Sequence, residues 1–219
     1  MSEPDWLGPA TEDPRLVPMT ALGDATRALM EAVVETAADV DVVEQATKDI
    51  AAIVERLNAK HRPPTSAMDR HEIRRRFVAY NPVIGKVNPF AMPLEVDIDE
   101  SGRASARVTM TRVHEGPPNA VHGGIVALLI DQLLGHAVGT AGPPGMTARL
   151  TVRFRKPTPY DTELLVEAWH SKSDGRKVTA EARITADGEV CADAEALFIV
   201  LTREQVETHL RGDEESPMA

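Results

Sequence analysis

The chain has 219 residues, 42% of them hydrophobic and 26% charged, which is enough for one well-buried domain with extra elements or for two small ones. Its formal net charge of −10 argues against nucleic acid as a partner, because phosphate binding needs a basic face. A single cysteine, Cys191, excludes an internal disulfide, and the acidic, proline-bearing N-terminus lacks the pattern of a signal peptide. The longest apolar run, residues 125–130, is too short to cross a bilayer. We therefore expect a cytoplasmic protein with no membrane contact.

The N-terminal third of the chain predicts helices. Residues 1–20 carry four prolines, so we expect an irregular lead-in there. From residue 21 to about residue 60 the apolar residues follow a helical period in two stripes, with a join near residues 38–41. This pattern predicts two amphipathic helices within an N-terminal helical extension over residues 21–78. Their acidic charge argues against DNA binding, and we expect them to pack on the rest of the protein or on a partner subunit.

From about residue 80 the period changes to two. Apolar and polar residues alternate over residues 104–111, 150–155 and 178–184, and a last apolar stretch covers residues 190–201. These stretches predict half-buried antiparallel strands. Between them, residues 124–140 are apolar nearly all the way round, which predicts a buried helix. The simplest packing is an α+β domain over residues 79–203, with a long antiparallel sheet wrapped around one central helix, followed by a polar tail over residues 204–219.

The predicted central helix contains a carboxylate and begins with two glycines. Asp131 lies among apolar residues, where an unsatisfied charge costs several kcal/mol. We therefore expect its carboxylate to cap a loop, to make an ion pair or to take part in catalysis. His122-Gly123-Gly124 directly precedes the apolar run, and bare amides at a helix N-terminus can hold a carbonyl oxygen as it gains charge. Nine residues of helix place His122 roughly 13 Å from Asp131, too far for one small substrate. The spacing therefore predicts a homodimer with composite sites.

The stretch E-G-P-P-N-A-V-H-G-G-I-V-A-L-L-I-D, residues 115–131, resembles the motif of the hot-dog fold acyl-CoA thioesterases of the PaaI and thioesterase-superfamily-member type. Residues 145–159 and the last two predicted strands are similar to the same family, so the resemblance covers about residues 80–202. It implies a hot-dog fold and the hydrolysis of acyl-CoA thioesters to a free carboxylic acid and CoA. It also implies that Asp131 activates water or acts as the nucleophile, and that the Gly123 amide polarises the thioester carbonyl. His122 would position the thioester or its loop, and Thr147 would hold the water or the aspartate.

The sequence departs from the family pattern at one position. Some relatives carry asparagine six positions before the histidine, whereas this chain has Gly116. Asn119 is close to that position without being its equivalent, and we treat it as a candidate for substrate binding together with Gly124.

The acyl-CoA substrate also requires cations for its phosphates. Basic residues are concentrated after residue 148, and the candidates for phosphate binding are Arg155, Lys156, Arg176 and Lys177. Ordinary outward-facing strand charges are the alternative for each of them. The histidines lack the spacing of metal ligands, so we expect neither a metal nor another cofactor.

Two other functions stay open on the sequence alone. One is a non-catalytic acyl-CoA-binding sensor or scaffold of the same fold, and the other is a hot-dog dehydratase. The length of the acyl chain is undetermined, as is the choice between a dimer and a tetramer.

Overall fold

The computed structural model describes residues 14–61, 78–141, 145–202 and 204–205. Two helices come first, α1 over Leu16–Glu35 and α2 over Val40–Asn58, and they are separated by an extended stretch close to the predicted join. Helix α1 begins inside the predicted lead-in, so the prediction of irregular chain is wrong for residues 16–20. Pro18 is compatible with this because the first turn of a helix has no hydrogen bond for proline to remove. The predicted polar tail lies outside the described residues from residue 206 onward.

The central helix and six strands form the body of the protein. Helix α3 spans Gly123–Ala141. The strands are β1 Asp97–Ile98, β2 Ala104–Thr109, β3 Gly145–Phe154, β4 Glu163–Asp174, β5 Lys177–Ala186 and β6 Glu189–Val200. They form one antiparallel sheet in the order β1-β2-β4-β5-β6-β3, which leaves β1 and β3 at its edges.

The core lies between α3 and one face of this sheet. Helix α3 packs against all five of the longer strands. The sheet residues beneath it are small or branched, as at Ala180, Ala182, Ala194 and Ala196, and they leave room for the larger side chains of the helix. The predicted α+β arrangement, a long antiparallel sheet around one helix, is confirmed.

Helix α3 is also apolar enough to pass a membrane-span criterion. Judged by length and composition alone, one helix of the described residues could cross a bilayer, over Gly123–Thr140. The same helix supplies Leu129, Leu133 and Leu134, each fully buried, to the core of the sheet domain. Core helices of soluble proteins satisfy the criterion for this reason.

Residues 78–96 form turns rather than a strand, although we placed the start of the period-two region near residue 80. Polar side chains organise this segment. The Asn81 side-chain oxygen accepts the N–H groups of Val83 and Ile84, and the Asn81 amide donates to Gln132 in α3 at 3.0 Å. The first strand begins only at Asp97.

Helix α1 docks on this turn segment. The Arg27 guanidinium donates to the carbonyl oxygens of Asn88 at 2.8 Å and Lys86 at 3.1 Å. Gly23 is buried against the same backbone, and α1 also contacts the short 3₁₀ helix Arg112–His114. The expectation that the N-terminal helices pack on the rest of the protein is confirmed for α1. No helix or strand of the described residues packs along α2.

Candidate active site

His122 caps the N-terminus of α3. Its ring Nδ1 accepts the N–H of Gly124 at 3.0 Å, and its carbonyl oxygen accepts the N–H of Ile125 at 2.9 Å. Its own N–H donates to the carbonyl oxygen of His114 at 2.8 Å, which ties the cap to the preceding 3₁₀ helix. Through these bonds His122 begins the helix and ties the helix start to the preceding loop.

The amide of Gly123 is available for a ligand. Within the part of the chain that the structure describes, the Gly123 N–H has no hydrogen-bond acceptor. The Phe154 ring lies beside it, since a Cβ atom at Gly123 would be 3.2 Å from the ring, and the Phe154 side chain is 57% exposed. A bare amide at a helix N-terminus can polarise a carbonyl group, and the exposed aromatic ring beside it can contact the apolar substituent of that carbonyl.

Gly116 is required by the same loop. A Cβ atom at Gly116 would lie 2.7 Å from the Cα atom of His122, and the Gly116 N–H donates to the carbonyl oxygen of Ala120 at 2.9 Å. The position at which some relatives have asparagine therefore admits no side chain without moving the cap. Asn119 lies in the same loop in a left-handed conformation, with φ of 63°. Its N–H donates to the carboxylate of Glu115 at 2.9 Å, which gives it a role in the turn beside its predicted role in substrate binding.

Asp131 and Thr147 form the second part of the site. The Thr147 hydroxyl donates to a carboxylate oxygen of Asp131 at 2.9 Å, which joins α3 to β3. Asp131 is half-buried and, among the described residues, makes no ion pair. Ion pairing and loop capping, the structural alternatives for this carboxylate, are therefore not what holds it here. One carboxylate oxygen is bonded by a hydroxyl and the other is left to act on a ligand.

One chain does not bring these two parts together. Eight residues of helix separate Gly123 from Asp131, or about 12 Å of rise. However, Asp131 lies on a side of α3 that begins at the helix N-terminus beside Gly123 and that no other described element covers. The residues on this side are half-buried or exposed: Gly124, Leu128, Asp131, Gly135 and Gly139. A Cβ atom at Gly135 or Gly139 would have no heavy atom within 4 Å.

Strand β3 is uncovered on the same side of the molecule. Among the described strands it pairs only with β6, along one edge, and none of its ten residues is buried. A long edge strand with free backbone groups is a surface on which another strand can pair. The open edge of β3 and the open stripe of α3 are adjacent, because the hydrogen bond between Thr147 and Asp131 connects them.

The predicted phosphate-binding residues lie in two groups. Arg155 and Lys156 follow β3, and their N–H groups both donate to the carbonyl oxygen of Cys191. Arg176 donates from Nε to the carbonyl oxygen of Val200 at 2.9 Å, and the neighbouring Lys177 is exposed. Nine residues of β6 separate the two acceptor carbonyls, roughly 30 Å of strand. A single chain therefore does not gather all four cations around one ligand.

Two of these cations also have carboxylate partners. Arg155 pairs with Asp193, and this hydrogen bond holds the pKa of the Asp193 carboxyl below its usual range. Lys156 pairs with Glu189 at 2.6 Å. Both pairs are solvent-exposed and contribute little, so an anionic ligand can replace the carboxylate.

A second polar network involves Gln132, the residue after Asp131 in α3. The Asn81 amide donates to the Gln132 side-chain oxygen, which turns the Gln132 amide group toward His136 at 3.1 Å. His136 Nε2 must therefore accept, so this ring is neutral. Burial lowers the pKa of His136, in agreement with a neutral ring. No cluster of three or more metal-ligand side chains occurs in the described ranges.

Sequence reasoning did not identify Phe154 or the steric role of Gly116. Phe154 is separated from Gly123 by thirty residues of chain, so only the fold brings the ring to the amide. Gly116 was visible as a departure from a family pattern, but the backbone contact that explains it was not.

Comparison with known proteins identifies the family. Residues 118–192 match the family model of the thioesterase superfamily. A crystal structure of a thioesterase superfamily protein is 31% identical in sequence, with a TM-score of 0.72, and the alignment covers 83% of this chain and 94% of that chain. The chain belongs to the thioesterase superfamily, and its fold is the hot-dog fold.

Two further relatives bear on fold and on sequence. The crystal structure of zebra fish Thioesterase Superfamily Member 2 shares the fold at 19% identity, with a TM-score of 0.50 and coverage of 57% of this chain and 92% of that one. Acyl-coenzyme A thioesterase THEM4 of Xenopus laevis is 36% identical over 89 residues, which are 40% of this chain and 40% of that protein. The chain therefore matches about two fifths of the length of the curated relative.

Proposed function

We propose that this protein hydrolyses acyl-CoA thioesters to a carboxylic acid and CoA. The observation that carries the proposal is the carboxylate of Asp131, held by Thr147 on an uncovered side of the helix whose N-terminus presents the bare Gly123 amide. A carbonyl polariser and a carboxylate that can activate water are the two groups that thioester hydrolysis requires. The Xenopus relative is named as an acyl-coenzyme A thioesterase, which supports the same substrate class.

The active unit in this proposal is a two-fold dimer. If α3 packs antiparallel against the partner's α3 with the axis near Ala127, Asp131 lies opposite the partner's Gly123. The contacts of β3 predict the same two-fold axis independently of α3. Gly123 is beside Phe154 and Asp131 is beside Thr147, so the midpoint of the corresponding stretch of β3 falls at residues 150–151. One axis therefore pairs the open β3 edges and brings together the two parts of the site.

The dimer also resolves the separation of the basic residues. Arg155 and Lys156 lie at the Gly123 end of β3, and Arg176 and Lys177 lie near its Thr147 end, where Val178 and Thr147 both pair with Phe198. Antiparallel pairing of β3 with its copy places the Gly123 end of one strand beside the Thr147 end of the partner strand. Each composite site then receives one pair of cations from each subunit, which suits the phosphates of CoA.

The chemistry follows from these positions. The thioester carbonyl oxygen accepts the Gly123 N–H of one subunit, with Phe154 against the apolar part of the substrate. Asp131 of the other subunit removes a proton from water, whose oxygen attacks the carbonyl carbon, or attacks that carbon itself. The C–S bond then breaks and the thiolate of CoA leaves. Where Asp131 itself attacks, water then hydrolyses the acyl-aspartyl anhydride, which releases the carboxylic acid and regenerates the carboxylate. Asn119 and Gly124 line the loop beside the entering thioester.

Substitution of Asp131 tests the reaction. We expect Asp131→Asn to lower kcat by at least about 100-fold in thiol-release assays over short, medium, long and aromatic acyl-CoAs, with little change in binding. Asp97→Asn, on the exposed edge strand β1, is the matched control and should keep full activity. Unchanged turnover in Asp131→Asn would reject the mechanism. Tight CoA binding with no thiol release from any substrate by the wild type would instead favour the acyl-CoA-binding sensor or scaffold.

Subunit mixing tests the composite site. Gly123→Val should be inactive because its side chain meets the Phe154 ring. Equal amounts of Asp131→Asn and Gly123→Val subunits, unfolded and refolded together, should recover about a quarter of wild-type activity, since half of the dimers contain one intact site of two. If each site were built from a single chain, the mixture would stay inactive.

A further inference from the structure

Helix α2 carries an apolar surface that nothing in the described residues covers. Every residue of α2 except Ile50 is exposed. The exposed side chains include large apolar ones, namely Val40, Val42, Val43, Ile53, Val54 and Leu57. A helix of 19 residues gains most of its stability in water from packing, so this surface is suited to pack against another helix.

The spacing of the apolar residues specifies the kind of partner. Val43, Ala46, Ile50, Ile53 and Leu57 follow one another at alternating intervals of three and four residues. This is the a/d pattern of a coiled coil, a narrow seam that fits the seam of another helix. We call these five residues the α2 seam.

The charge of α2 excludes two other surfaces. Asp41, Glu44 and Glu55 lie outside the seam, and the basic residues Lys48 and Arg56 do not outweigh them and Asp49. Membranes with anionic lipids and nucleic acids both select helices with basic polar faces. The α2 seam therefore fits a protein helix.

We propose that α2 packs antiparallel against α2 of a second copy of this chain. The two-fold axis lies between residues 51 and 52, so that Ile50 packs with the partner's Ile53 and Ala46 with the partner's Leu57. Asp49 and Arg56 occupy equivalent positions at the flank of the seam, seven residues apart. In the antiparallel arrangement Asp49 lies opposite the partner's Arg56, and the two-fold axis makes this ion pair twice.

The parallel arrangement lacks this complementarity. There the flanking positions would place Asp49 next to the partner's Val54 and Val42 next to the partner's Thr47. Asp49 accepts a hydrogen bond from Gln45 of its own helix at 3.0 Å, which leaves its second oxygen for Arg56 of the copy. The charges thus select both the partner and its direction.

Part of the chain before residue 78 is shared with a relative. Residues 78–219 are less than two thirds of the chain, whereas the thioesterase superfamily protein of known structure aligns with 83% of it. The aligned region therefore includes residues before residue 78.

The first experiment places two charges in the seam. We expect Ile50→Glu/Ile53→Glu to raise the dissociation constant of self-association at least about 100-fold, or to halve the assembled mass, in analytical ultracentrifugation of the full chain. Ala51→Glu/Ala52→Glu introduces the same charge on the side of α2 away from the seam and should assemble as the wild type does. Unchanged mass and affinity in the seam variant would overturn the proposal. A lower melting temperature at unchanged mass and affinity would also overturn it, because the seam would then be covered by the same chain.

The second experiment tests direction and leaves the apolar seam intact. Asp49→Arg alone and Arg56→Asp alone each place like charges opposite one another in the antiparallel pair, and each should weaken the assembly several-fold. The double variant Asp49→Arg/Arg56→Asp restores the pair with its charges exchanged and should recover wild-type affinity. Additive weakening in the double variant would overturn the antiparallel arrangement. Neither experiment depends on catalysis, so thiol release by these variants reports on the proposed function separately.

Discussion

Substitution of Gly23 by alanine measures how closely α1 is docked on the sheet domain. Gly23 lies in the interior of α1, where alanine ordinarily stabilises a helix by about 0.5–1 kcal/mol relative to glycine. At this position, however, a Cβ atom would lie 2.8 Å from the carbonyl oxygen of Lys86 and 3.1 Å from that of Val87. Both oxygens belong to the backbone, so no change of side-chain rotamer relieves the contact.

The steric effect should exceed the gain in helix propensity. Overpacking a close contact costs about 1–3 kcal/mol. The same loop accepts the two hydrogen bonds of Arg27, and a helix that moves away to make room for the methyl group lengthens both. We therefore expect Gly23→Ala to destabilise the protein by about 1–2 kcal/mol, or roughly 2–8 °C in Tm for a chain of this size.

Urea and thermal unfolding provide the assay. Ala28→Gly, on the exposed side of the same helix, is the control, and it should lower stability by about 0.5–1 kcal/mol through helix propensity alone. The reasoning fails if Gly23→Ala is more stable than the wild type by about 1 kcal/mol. That result would mean that α1 does not rest on the backbone of residues 86–87.

Two further predictions concern the polar contacts of α3. Thr147→Val removes the hydroxyl that bonds Asp131 and should lower kcat about 10-fold, whereas Thr147→Ser should keep most activity; equal rates for the two variants would contradict a role for the hydroxyl. Burial holds the pKa of His136 below its usual range, so the unfolded chain binds this proton more readily and the folded state loses stability as the pH falls below about 6.5. Urea unfolding at about pH 7.5 and about pH 5.5 should show this loss of stability. The loss should be smaller in His136→Gln, whose side-chain oxygen still accepts a hydrogen bond from Gln132. An equal loss in both proteins would show that His136 is not its cause.

The sequence predicted correctly those helices and strands whose apolar residues follow a clear period. Alternation over residues 104–111 and 178–184 predicted β2 and β5, and the apolar run predicted α3 to within one residue at each end. The segment over residues 78–96 was misjudged because its order comes from hydrogen bonds of Asn81 and Asn88 to backbone groups, which have no period. The start of α1 was missed because prolines mark both a helix start and irregular chain.

Within the site, helix geometry predicted what lies on one stretch of chain, and the family resemblance added the contact of Thr147 with Asp131. His122, Gly123 and Asp131 are placed by one helix, whose geometry follows from its sequence. Phe154 reaches Gly123 only because β3 pairs with β6. The distance between Arg155 and Arg176 is likewise set by the register of the sheet strands. Contacts of this kind depend on how distant segments align, and no local pattern encodes the alignment.

The two proposed interfaces together constrain the assembly. One two-fold axis passes near Ala127 and residues 150–151, and the other passes between residues 51 and 52. If the two axes coincide, both interfaces close within one dimer, and the α2 seam serves to strengthen it. If they differ and are perpendicular, they generate a tetramer of D2 symmetry in which α2 joins two of the dimers proposed to form through α3 and β3. The mass of the Ile50→Glu/Ile53→Glu variant decides between these arrangements, since only the tetramer would fall to a dimer that keeps its composite sites and its full activity per chain.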